Sequence, residues 1–176
     1  MDVTTHATVA AFTAVGLARG KVGSKEIWTA VFLGSMAPDI DALLYLFHPH
    51  FYFEYHRTYT HTLLGIAILS AVTAGLITLS WGQRSFLSLY LYALFGGLIH
   101  LGLDTLTRYP LHPLAPFSPQ NYAVGLFGWR DPFFKTAALI GIGLILILPR
   151  FLARPLVLLG FLVMAGRVAL AYFLRR

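Results

Sequence analysis

The side chains of this chain that can do chemistry form a short set. His6 lies in THATVAAF, Asp39 and Asp41 in PDID, His56 and His61 in HRTYTH, and His100 and Asp104 in HLGLD. The sequence has no cysteine, which excludes disulfides, thiolate nucleophiles and cysteine-based metal sites. Imidazole and carboxylate without thiolate suit Zn²⁺, and also Mn²⁺ or Fe²⁺. These residues supply more donors than one tetrahedral ion takes, so they suggest a cluster of two or three ions. Such clusters activate water and clamp both oxygens of a phosphoester displacement.

The spacings say which groups can meet. His100 and Asp104 are one helical turn apart and share a face, which continues through Ala93, Gly96 or Gly97, and Thr107. That stripe is small and polar, and small residues let helices approach closely. The alternative is a hydrogen-bonded structural pair inside a bundle. In PDID, Pro38 either starts a helix, with Ser35 as a possible cap, or breaks a longer one. Asp39 and Asp41 then sit on roughly opposite faces of a regular helix. One can be a ligand while the other supports it or serves a second metal, and either could act as general base; the alternative is an acidic helix cap. His56 and His61 can share a cluster only if His56 lies in a loop and His61 in a first helical turn, with Thr58 or Thr60 as the cap. Arg57 between them could hold an anionic group such as a phosphate. An interfacial aromatic loop is the alternative. His48, His50 and Glu54 read as interfacial, His112 as a loop residue within reach of the site, and Arg167 as a group that pairs, binds an anion or snorkels.

The elements that must position these groups are apolar. Of 176 residues, 57% are hydrophobic and 11% charged, against about 25% charged in a soluble domain. Mean hydropathy is +0.71. One integral membrane domain over residues 1–176 is expected: an all-α polytopic bundle with about 4–6 membrane-embedded helices. Apolar segments run over 6–18, 27–47 with an interruption at MAPDID, 62–80, 86–107, 133–148 and 155–174. They lack the strict alternation of a barrel. Those over 62–80, 86–107 and 155–174 approach the ~20 residues that span a bilayer. The first is too short to span alone. The start MDVTTHATVAAF lacks a signal-peptide pattern, so this segment is expected to stay.

Threading the segments alternately up and down gathers every histidine, and every acid except Glu26, at one membrane face. The net charge of +6 resides mainly in loops, with no basic helix face, so nucleic acid is not an expected partner. The short loops at the other end are basic, which points the site outward.

The ordered set TH, PDID, HRxxxH before an apolar run, and HxxxD before a threonine and PLAPFS resembles the YdjM-like family over roughly residues 1–120. That family is described as membrane-bound metal-dependent hydrolases, LexA-binding and inner-membrane-associated. It is similar in turn to zinc-dependent phospholipase C and the zinc single-strand nucleases, which are helical and hold three zinc ions. The resemblance implies that His100 and Asp104 form the HxxxD ligand pair. His6 then matches a near-terminal histidine ligand, and Asp39 or Asp41 with His56 or His61 match the ligands between. Those secreted enzymes also use an N-terminal amine and a further downstream ligand pair. No such pair follows residue 112 here, so two metals are expected before three. Thr58 stands where the family usually has glycine. The implied activity is hydrolysis of a phosphoester in a lipid or lipid-linked substrate, with membrane lipids as partners. A non-catalytic metal-binding protein or transporter is the alternative.

Overall fold

A computed structural model describes residues 1–50, 55–82 and 85–175. Glu54 lies outside the described residues. The described chain is an all-α bundle: α1 (Val3–Ala18), α2 (Ser24–Met36), a 3₁₀ segment (Ala37–Leu43), α3 (Leu44–Phe47), α4 (Leu63–Trp81), α5 (Phe86–Thr105), α6 (Pro132–Ile147) and α7 (Ala153–Leu174). Four helical stretches are long and apolar enough to cross a membrane: Ser24–Phe47, Leu63–Trp81, Phe86–Thr105 and Arg150–Leu174. Val3–Ala18 and Pro132–Ile147 are shorter.

Local chemistry sets the ends. The Asp2 carboxylate accepts from Thr5 N and caps α1. Asp131 caps α6 in the same way, with Pro132 in the first turn. Pro38 breaks the second apolar segment instead of starting an α-helix. The backbone tightens to 3₁₀ over Ala37–Leu43, then resumes as α3.

Lipid removes most of the hydrophobic drive between spans, so close packing has to hold them. The most extensive pair is α2 on α5. A Cβ on Gly34 would lie 2.2 Å from the Ala93 carbonyl oxygen, and one on Gly96 2.2 Å from that of Val31. Glycine at both positions lets the two backbones touch. A second core joins α1, α6 and α7 around buried Phe12, Phe134, Ile145 and Val157. Outward faces remain apolar: Leu76 and Leu79 on α4 and Phe173 on α7 are exposed, as lipid contact requires. The site therefore rests on a rigid α2–α5 seam. The first residues of α1 approach from one side and the start of α4 from the other.

Candidate metal centre

The functional side chains arrive from four elements. The first turn of α1 carries His6, fully buried, whose ring stacks on His100 at 3.8 Å between centroids and 16° between planes. The 3₁₀ segment carries Asp39 and Asp41. Residues three per turn are eclipsed in a 3₁₀ helix, so residues two apart point in different directions. Asp39 accordingly reaches His61 and His100, while Asp41 reaches His56 and Thr60. The HRTYTH stretch bends at Arg57, whose φ of +67° is left-handed. The positive φ falls on Arg57, one residue before Thr58, where the family pattern has glycine. Its amide donates to Asp41 Oδ2 at 3.1 Å, which holds the bend. Thr62, and neither Thr58 nor Thr60, caps α4, with Oγ1 accepting from Gly65 N at 2.8 Å. The end of α5 supplies His100 and Asp104.

These groups converge. His61 Nε2 lies 3.1 Å from His100 Nε2. Asp104 Oδ2 is 3.5 Å from the first nitrogen and 3.7 Å from the second. Asp39 Oδ1 stands at the same two distances, 3.5 and 3.7 Å. Zn–N bonds of about 2.0–2.1 Å place tetrahedral donors about 3.3–3.4 Å apart. The two triangles that share the His61–His100 edge therefore have the size of a face of a zinc tetrahedron. Metal-sized groups among the described residues are His6–Asp39–His100, Asp39–His56–His61 and His61–His100–Asp104. Asp39 Oδ2 and Asp104 Oδ2 are buried and accept no hydrogen bond. An orphaned buried carboxylate oxygen is costly unless a cation offsets it. The donor set fits a divalent metal on both counts.

Hydrogen bonds orient the imidazoles. Thr60 Oγ1 donates to Asp41 Oδ2 at 2.7 Å, so it can accept at 2.9 Å only from a protonated His61 Nδ1. The relay turns the His61 Nε2 lone pair toward His100 and the two carboxylates. Asp41 also takes His56 Nδ1 at 2.8 Å, so Nε2 is the nitrogen that His56 could offer a metal. With both its oxygens engaged, Asp41 falls outside the metal-sized groups and acts as a positioning carboxylate. Burial alone would lower the proton affinity of His61, but hydrogen bonds to Asp39 and Asp41 outweigh it and raise it above the ordinary 6.5.

Asp104 Oδ1 is crowded by cations and donors. Arg57 Nη2 donates at 3.0 Å, His6 Nε2 lies at 3.1 Å, and the Met1 amino group is in direct contact. Burial, followed by the Arg57 charge, lowers that amine from 8.0 to about 5. Arg57 also packs over the Tyr109 ring at 5.6 Å.

The structure brings His6, Asp39, Asp41, His56, Arg57, His61, His100 and Asp104 together at one end of the bundle. His112 is half-buried and belongs to no metal-sized group. His48 and His50 are exposed and pack against each other. Arg167 resolves to an ion pair with Asp131 at 3.4 Å, beneath which lies the Phe127 ring. Sequence reasoning treated Thr60 only as a cap and passed over Tyr109. A hydroxyl directly before His61 was the one available signal for the relay.

The fold and the site define a polytopic α-helical membrane protein with a buried His/Asp cluster able to hold a metal ion. The chain belongs to the YdjM inner membrane protein family, whose model it matches over residues 1–176. It is an integral protein of the inner membrane. It is also 31% identical over 118 residues to a Bacillus subtilis protein described as "Uncharacterized protein YfhP". That alignment covers 67% of this chain but 36% of the relative, so the chain spans about a third of that protein's length. No solved structure matches.

Proposed function

We propose that this protein is a membrane-bound metal-dependent hydrolase that cleaves a phosphoester of a lipid or lipid-linked substrate. The observation that carries the reading is the pair of buried, unpartnered carboxylate oxygens on Asp39 and Asp104 beside the facing His61 and His100 nitrogens. His6, Asp39, His56, His61, His100 and Asp104 would hold the metal, with Zn²⁺ the first choice for this donor set and two ions within its capacity. A divalent cation there supplies Lewis-acid activation of water and charge neutralisation at a phosphoryl centre. Asp41 and Thr60 fix the tautomers of His56 and His61. Asp39, with one oxygen free of hydrogen bonds, is placed to take a proton from attacking water. Arg57 can exchange Asp104 for a phosphoryl oxygen, since a guanidinium binds either oxyanion.

Two further features support this substrate class and setting. The cluster gathers at helix ends (the start of α1, the 3₁₀ segment after α2, the start of α4 and the end of α5), where an interfacial substrate would meet it. Beside the site loop, Thr58, Tyr59 and Thr60 rim a cavity of about 450 Å³ whose walls are Leu64, Ile68, Leu69 and Pro116. The cavity is apolar, it lies beside the residues that flank His61, and its walls continue down the membrane-spanning α4, as a hydrocarbon chain requires.

Metal analysis of the purified chain, combined with a panel of phosphodiester and phospholipid substrates, tests the proposal. At least one Zn, Mn or Fe per chain is expected, with loss of both metal and turnover in His100→Ala and Asp104→Ala. Less than one metal per chain, or unchanged binding in those variants, would sink it.

A further inference from the structure

The opposite end of the bundle holds a second polar feature that the metal chemistry does not use. An open cavity of about 860 Å³ is lined by Arg19, Lys21, Lys25 and Arg150, with Trp28 and Ser24 in its wall. Among the described residues, no acidic side chain lines it. Glu26, in the first turn of α2, is fully buried and does not line the cavity. Among the described residues none of the four cations forms an ion pair. Arg19 Nη2 donates to the carbonyls of Leu146 and Leu148 at 3.2 and 3.1 Å, and its Nη1 is buried with no acceptor. Lys21 donates to the Tyr92 hydroxyl at 2.9 Å, and Lys25 lies over the Trp81 ring at 5.3 Å. The N-terminus of α2 opens on the same cavity at Ser24 and carries no side-chain cap. A helix start of this kind favours an anion.

Simple snorkelling would spread such cations toward separate headgroups. Here they converge on one cavity beside the first turn of α2. We infer that this end of the bundle is a binding site for a phosphate-bearing anion, held by Arg19, Lys21, Lys25 and Arg150 against the N-terminus of α2. Basic pockets between membrane helices take anionic lipid headgroups in this way. Free phosphate or a soluble phosphate ester presents the same chemistry. The inference does not depend on the metal cluster or on hydrolysis.

Trp28 is a built-in reporter. The full chain, carrying Trp81→Phe and Trp129→Phe, is reconstituted in phosphatidylcholine nanodiscs. Quenching of Trp28 is read against spin-labelled phosphatidylglycerol and spin-labelled phosphatidylcholine, each with and without millimolar inorganic phosphate. The anionic lipid is expected to quench at a several-fold lower mole fraction than the neutral one. Each of Lys25→Gln and Arg150→Gln should cut that preference about fivefold. These two are the informative variants, because Arg19 also caps the end of α6. Quenching relieved by inorganic phosphate assigns the site to the phosphate group itself, and quenching that phosphate does not relieve assigns it to the whole lipid headgroup. Equal quenching by the two lipids with no effect of phosphate on Trp28, or a preference unchanged in both variants, overturns the inference.

Discussion

Replacing Thr60 by valine isolates the hydrogen-bond relay from the ligands themselves. Valine is nearly isosteric with threonine, so packing at this half-buried position is kept while the hydroxyl is lost. Two hydrogen bonds go with it, at 2.7 Å to Asp41 Oδ2 and 2.9 Å to His61 Nδ1. Removing a group that orients a metal ligand typically costs about 10–100-fold in metal affinity, or roughly 1.4–2.8 kcal/mol. His61 Nδ1 retains a 3.5 Å approach to Asp41 Oδ2 as a substitute. Asp41 itself keeps His56 and the Arg57 amide. The expected loss is therefore at the lower end, about tenfold in Zn²⁺ affinity. Stability should fall by about 1–2 kcal/mol, the net worth of two hydrogen bonds of which one is partly replaced. The assay is chelator competition for Zn²⁺ on protein in detergent, alongside thermal unfolding. Thr60→Ser should restore most of the affinity, and Thr78→Val, which loses a hydroxyl bonded within α4 far from the site, should leave it unchanged. Affinity in Thr60→Val within about twofold of the unsubstituted protein would refute the relay.

Three further outcomes follow from the same geometry. In the metal-free protein the raised proton affinity of His61 adds stability that is complete below the unfolded value of 6.5 and is lost as pH rises through the higher folded value. Metal competes with that proton, so Zn²⁺ affinity should rise with pH through and beyond 6.5; a pH-independent titration by calorimetry would contradict the assignment. Gly96→Ala puts a Cβ 2.2 Å from the Val31 carbonyl oxygen and 2.8 Å from Ser35 N, both backbone atoms. The α2–α5 seam must open, and a loss of about 1–3 kcal/mol is expected, read as a lower Tm, with weakened metal retention because Asp39 lies in the 3₁₀ segment that continues α2 and His100 lies on α5. Ile68→Trp narrows the apolar cavity beside the site loop. It should depress turnover of a long-chain phosphoester while sparing a short-chain analogue, and equal effects on both would remove the cavity from substrate binding.

Much of the site was legible because its signals are local. The i,i+4 pairing of His100 and Asp104 follows from helix geometry, and both residues do face the cluster. Alternating the apolar segments placed His6, the PDID motif, HRTYTH and HLGLD at one face, which is where they lie. The break at MAPDID was readable from Pro38. Its form was not, since a proline can start a helix or end one, and packing chose a 3₁₀ turn. That choice divides the work of the two aspartates, with Asp39 turned to His61 and His100 and Asp41 to His56 and Thr60. The capping residue of α4, expected at Thr58 or Thr60, lies two or four positions later at Thr62, because the three threonines are chemically equal as caps until the Arg57 bend and the register of α4 select one. Arg167 had three open readings in the sequence, and only the approach of Asp131, 36 positions away, decided between them.

The sequence by itself determined the solvent, the secondary structure and the chemistry: apolar spans long enough for lipid, helices as the structure those spans adopt, and nitrogen and oxygen donors with no sulfur thiolates. Those follow from composition and periodicity, which act over a few residues. Tertiary structure decided which donors meet, at what distance, and in which tautomer. Convergence to within 3–4 Å depends on two backbones touching at Gly34 and Gly96, and on a threonine hydroxyl reaching across a loop to a carboxylate. No local pattern carries those separations, because each is set jointly by elements distant in the chain.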